Sequence, residues 1–110
     1  RASQELLTAY LVGAGGQVVR AGDGAEGLGE IRRRRPVAVV LDILLPGIDG
    51  WAVLDELRSD ETTRDVPVII VSILDEKSRG LALGAASYLT KPVSRDDMIE
   101  ALRDVKVLSA

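Results

Sequence analysis

The 110-residue chain contains no cysteine, no histidine and no phenylalanine, and only one tryptophan and two tyrosines. Without cysteine there is no disulfide, no thiol nucleophile and no thiolate metal site. Without histidine, the commonest general base and the commonest metal ligand are also missing. Any chemistry must rest on carboxylates, lysine, hydroxyls or tyrosine, and the core must be built from Val, Leu, Ile and Ala. A net charge of -3 with a pI near 4.9 argues against the domain itself binding nucleic acid. No apolar run approaches membrane-spanning length and no signal peptide is visible, so no membrane partner is expected and the chain reads as cytoplasmic. At this length a single domain over 1–110 is expected.

The richest stretch is VAVVLDILLPGIDG, from Val37 onward. Five apolar residues, Val37 to Leu41, end in a carboxylate, Asp42. A run of this kind, bounded by Pro36 and by the Pro46-Gly47 turn, reads as a strand buried on both faces of a parallel sheet. Asp42 then stands at the strand's carboxyl end, the edge where open α/β sheets place their ligands.

Residues 3–12 carry Leu6, Leu7, Ala9, Tyr10 and Leu11 at helical spacing, with Ser3 as a cap, so the spacing predicts a first helix that stops at Gly13, Gly15 and Gly16. A short strand is expected over 17–21, a helix over 25–34, the strand over 37–42 and a helix over 51–57. A polar connection follows over 59–66, then a strand over 67–72, a helix over 76–83, a brief strand over 87–90, and a last helix from Ser94 to about Val107. Alternating strands and helices imply an α/β fold with a parallel sheet covered on both faces. A chain of this kind that opens on a helix is unusual.

Asp42, Ser72 and Lys91 each follow an apolar strand. Parallel strands would bring all three to one rim. A carboxylate, a hydroxyl and an ammonium suit phosphoryl transfer to the carboxylate: Asp as nucleophile, Lys offsetting phosphoryl charge, the hydroxyl bonding a phosphoryl oxygen. The same residue types also suit an Asp–Lys ion pair with Ser as a strand-end cap, and both readings stand at this point.

VVLDILLPGIDGW, PVIIVS and YLTKP, in this order and spacing over the whole length, resemble the receiver domain of two-component response regulators, including chemotaxis-type single-domain regulators. The resemblance implies a flavodoxin-like α/β/α fold with strand order 2-1-3-4-5. It implies that Asp42 accepts a phosphoryl group from a histidine kinase or phosphotransfer protein, and that Mg2+ is held by Asp42 and the Leu44 backbone carbonyl. Ser72 would be the switch hydroxyl, Lys91 (before Pro92, a cis bond in the family) the partner lysine, and Tyr88 the aromatic that turns inward on activation. The output face toward a partner domain would comprise residues 76–83, 87–90 and 94–107. Such a domain is a signalling switch and not an enzyme beyond its own phosphotransfer and dephosphorylation.

Three departures from the family pattern carry consequences. The family's first strand and the acidic pair at its end would fall before Arg1. Asp42 plus one carbonyl is a poor site for a hard cation that takes several oxygens, so weak or absent Mg2+ binding and impaired phosphorylation are expected. Loss of a central strand would also leave an open slot, inviting association between copies through the exposed sheet. Ile73 stands where the family has a small residue beside the switch hydroxyl, narrowing the approach of a donor, and Ala86-Ser87 replaces a stretch that is often acidic. The alternative function is a phosphorylation-deficient docking or dimerisation module that keeps the fold and uses only its last-helix face.

Weaker signals read as structure. Gly22-Asp23-Gly24-Ala25-Glu26-Gly27 fits G-x-G-x-x-G, but the strand before it is short and carries Arg20, and a dinucleotide site would leave Ser72 and Lys91 without a role. The run Arg32–Arg35 reads as the solvated C-terminal turn of a helix, where cations suit the dipole. Trp51 reads as a core residue at the head of its helix.

Overall fold

The computed structural model describes residues 7–13, 17–21, 24–43 and 48–105. Nine elements lie within them: β1 (Leu7–Val12), β2 (Val18–Ala21), α1 (Gly24–Arg34), β3 (Ala38–Ile43), α2 (Ile48–Ser59), β4 (Val68–Ser72), α3 (Lys77–Ala82), β5 (Ser87–Thr90) and α4 (Arg95–Asp104). They form one five-stranded sheet in the order β2-β1-β3-β4-β5. The strands β3, β4 and β5 pair in parallel, while β1 pairs antiparallel with both β2 and β3.

This corrects the expectation for the N-terminal segment. Residues 7–12 form a strand, not part of a helix, and they occupy the slot between β2 and β3 that the sequence left open. Over six residues, LTAYLV satisfies either period, and the sheet decides between them. As a strand it buries Ala9 and Leu11 against one face and lays Tyr10 against the other. Its backbone partners the edge of β3 from Leu7↔Ile43 to Val12↔Ala38. An uncovered strand edge between two apolar faces would leave N–H and C=O groups unpaired, a larger loss than one helical turn's hydrogen bonds. The slot is therefore closed within the chain, and association through an open sheet interior has no site. β1 and β2 pair antiparallel, and beyond their ends the Gly13 N–H donates to the Gln17 carbonyl at 2.8 Å.

The continuous apolar runs behave as expected of strands covered on both faces. Val39, Leu41 and Ile43 of β3 and Val68 and Ile70 of β4 join Ile31 of α1 and Trp51, Leu54 and Leu57 of α2 in the larger core. Val40, Ile69 and Val71 turn the other way, onto Ala101, Met98 and Leu102 of α4. The helices α1, α2 and α3 thus cover one face and α4 alone covers the other. Because residues 7–12 are used in the sheet, no second helix lies beside α4 among the described residues. A cavity of about 250 Å3 remains there, lined by Tyr10, Val12, Val18, Val40, Asp42, Val71, Met98 and Leu102.

Local signals explain the helix ends. Ser94 caps α4: its side chain accepts from the Asp97 N–H, and the Asp97 carboxylate accepts from the Ser94 N–H, a reciprocal box. The basic run at the end of α1 is salt-bridged: Arg33 and Arg34 to Glu30, and Arg32 to Asp60 and Glu56 of the neighbouring helix end. At Gly27, α1 crosses β1 so closely that a Cβ there would lie 3.2 Å from that of Ala9. Arg58, at the end of α2, donates to the carbonyls of Thr63 and Val66 and so fixes the turn leading into β4. Burial holds its guanidinium below the ordinary arginine value, partly offset by Asp65. The glycine pattern at residues 22–27 lies partly outside the described residues, and α1 begins at Gly24.

Candidate functional site

The three parallel strands end together. Ile43 pairs with Ser72, and Ser72 with Thr90, so Asp42, Ser72 and Lys91 reach the same rim. Within that rim the residues are not equivalent. Asp42 follows Val40 in pointing to the α4 side, where it forms part of the cavity wall. The Lys91 ammonium lies 2.8 Å from Asp42 Oδ1, with both side chains about 30% exposed (30% and 31%). Oδ1 is buried, and the Lys91 ammonium is the charge that lies against it.

Ser72 is fully buried, and alternation along β4 turns its side chain away from Asp42. Its Oγ accepts from the Leu74 N–H at 3.1 Å. The geometry therefore brings Asp42 and Lys91 into contact and places Ser72 one strand away, engaged with its own loop. The backbone links the two groups: the Lys91 N–H donates to the Ser72 carbonyl at 2.7 Å, and the following peptide, Lys91-Pro92, is cis. Ile73, directly after Ser72, is 50% exposed at the rim. Tyr88 is buried, with its hydroxyl donating to the Leu74 carbonyl at 2.6 Å. The sequence reading named Tyr88 but missed Leu74, because the contribution of Leu74 is its peptide group, which leaves no mark in residue type. Leu44, the expected carbonyl ligand, lies outside the described residues.

The donor set does not fit a tight Mg2+ site. Among the described residues no group of three or more acidic side chains converges. Asp42, the carboxylate the described residues place at the rim, already has an ammonium beside it, whereas a hard cation requires six or so oxygens.

An open α/β sheet with a carboxylate–lysine pair at the carboxyl ends of its parallel strands has the groups that phosphoryl transfer to a carboxylate uses, and equally those of a structural ion pair. Comparison with known proteins narrows the class. Residues 1–103 match the family model described as "Response regulator receiver domain". The chain is 36% identical over 102 residues to Protein PilH of Pseudomonas aeruginosa, covering 90% of this chain and 84% of that one. It spans only 22% to 46% of the longer curated relatives it matches. Among solved structures, the receiver domain of Francisella response regulator 1452 superposes with a TM-score of 0.66 at 38% identity, covering 78% of this chain and 73% of that one. The receiver domain of sensor histidine kinase PA1611 from Pseudomonas aeruginosa superposes with a TM-score of 0.63 at 29% identity, covering 77% and 73%, and holds a magnesium ion in its active-site cleft. The chain belongs to the response regulator receiver domain family, whose members are signalling domains of two-component systems. No helix among the described residues is long and apolar enough to cross a membrane.

Proposed function

We propose that Asp42 is the phosphoacceptor of this receiver, with Lys91 as its charge partner and Ser72 and Tyr88 as the groups that report its state. The observation that carries this is the 2.8 Å approach of the Lys91 ammonium to the Asp42 carboxylate at the rim where three parallel strands end. In the step proposed, an Asp42 oxygen attacks the phosphorus of a phosphohistidine on a kinase or phosphotransfer protein. The P–O bond forms, the P–N bond breaks, and the departing imidazole nitrogen takes up a proton. Lys91 offsets the charge that gathers on the phosphoryl oxygens. Water attack on phosphorus later returns the carboxylate and releases phosphate. This self-contained cycle is the only catalysis the reading requires.

The output surface proposed is the one formed by α3, β5 and α4, where Leu81 and Leu83 stand exposed. A kinase-side partner and an output partner in the cytoplasm complete the pathway, with no nucleic acid or membrane bound by this domain. Mg2+ binding is expected to be weak, and a titration showing tight binding would overturn that part. A second reading, a phosphorylation-deficient docking module, is favoured by the lack of an acidic cluster among the described residues. One experiment separates them. Amide spectra are recorded with beryllofluoride in excess Mg2+ for the wild type and Asp42→Asn. Shifts around residues 42, 72 and 91 that vanish in the variant support the phosphoacceptor, whereas silence in both supports the docking module.

A further inference from the structure

Tyr88 lies inward because of a residue it does not neighbour in sequence. Its ring is 4% exposed within the larger core. A Cβ built on Gly80 of α3 would sit 2.6 Å from Tyr88 Cδ2 and 3.3 Å from Cε2, with Ile70 Cδ1 closing the space at 3.6 Å. Real Cβ atoms do not approach so closely, so a side chain at position 80 would force the inward tyrosine ring or α3 to shift. The helix has little room to yield. The Gly80 N–H donates to the Glu76 carbonyl and the Gly80 carbonyl accepts from Ala85, both at 3.0 Å. Arg79 lies over the Trp51 ring at 4.7 Å, pinning α3 to α2.

The inward ring has a consequence at the rim. Leu74 is held at both ends of its backbone: its carbonyl by the Tyr88 hydroxyl, its N–H by Ser72 Oγ. With the Lys91 N–H on the Ser72 carbonyl and the Lys91 ammonium beside Asp42, four contacts joined through Leu74, Ser72 and Lys91 link Tyr88 to Asp42. We infer that Gly80 is the positioning residue that lets Tyr88 lie inward while Asp42 is paired with Lys91, and so biases the switch toward its inward arrangement. The position of Tyr88 stands on its own geometry. Only the link to signalling rests on the phosphoacceptor reading.

Two measurements test this. In protein labelled with 3-fluorotyrosine, Tyr10 and Tyr88 give two 19F lines, assigned with Tyr88→Phe. In the wild type the Tyr88 line should be shielded from a soluble paramagnetic probe, and in Gly80→Ala it should become accessible. A Tyr88 line exposed in the wild type, or still shielded in Gly80→Ala, overturns the inference. Stability supplies a second check that survives a poorly folding single variant. Gly80→Ala should lower the melting temperature when Tyr88 is present. In a Tyr88→Ala background it should raise it, because alanine is the better helix former once the ring is gone. The same sign in both backgrounds overturns the inference. If both results hold, Gly80→Ala should also weaken beryllofluoride binding by about fivefold or more, since coupling between two sites is reciprocal. If the wild type shows no beryllofluoride response while both results hold, Asp42 fails as phosphoacceptor and the role of Gly80 stands.

Discussion

The two halves of the sheet do different work. In β3, β4 and β5 the strands run parallel, both faces are buried, and all three carboxyl ends fall on one rim. There the chain delivers a carboxylate, a buried hydroxyl and an ammonium. In β1 and β2 the strands form an antiparallel pair whose task is to cover the free edge of β3. The first half makes a site because parallel strands align like ends. The second brings to that rim only the start of β1, with Thr8 opposite Asp42, and the apolar end of β2 at Ala21. Chemistry and edge-covering are thus assigned to separate segments, and the assignment can be tested.

The largest effect expected is in the shared core. Leu41 of β3 is fully buried, and Leu41→Ala should cost about 2–5 kcal/mol in urea unfolding. Leu11 of β1 is buried nearly as deeply. Leu11→Ala should approach the same cost if the β1–β2 pair is an integral part of the fold. A cost under about 1 kcal/mol would break the comparison, reducing β1 to a loose cover. Next in size is the cap of α4. Ser94→Ala should cost about 1 kcal/mol in the same assay, through loss of the hydrogen bond to the Asp97 N–H.

At the rim, function and stability should part. Because the Asp42–Lys91 pair is about one-third exposed, Lys91→Ala should change stability by no more than about 1 kcal/mol. It should nevertheless abolish most phosphoryl loading. A large stability loss with loading intact would return the pair to the ion-pair reading. The smallest effect concerns Asp60, whose carboxyl is held at about 2 by Thr62, through side chain and backbone, and by Arg32. A depressed carboxylate value means stability present above the unfolded value of 3.8 and lost as pH falls toward about 2. Acid unfolding of Asp60→Asn should lack this component, visible as a shallower fall in melting temperature below pH 4.

The parallel half was legible in the sequence because its signals do not compete. VAVVLD and PVIIVS are too short and too uniformly apolar to be surface helices, and Pro36 and Pro67 mark where they begin. Asp42 and Lys91 could be paired from strand order alone. Ser72 was placed on the correct rim, but its side-chain direction depends on β4 register, which residue types do not reveal. Residues 7–12 were misread because six residues give little to distinguish the two periods. Their state is set by the unpaired edge of β3, which lies 26 or more residues further on. Leu74 and Gly80 were invisible for a related reason: one acts through its peptide group and the other through the side chain it lacks.

The central claim is that Asp42 takes the phosphoryl group. It is tested most directly by treating the protein with phosphoramidate, trapping any acyl phosphate with borohydride, and locating the resulting homoserine by peptide mass analysis. Homoserine at position 42, absent in Asp42→Asn, is the predicted result. Homoserine at another aspartate, or none in protein shown to be folded, would contradict it.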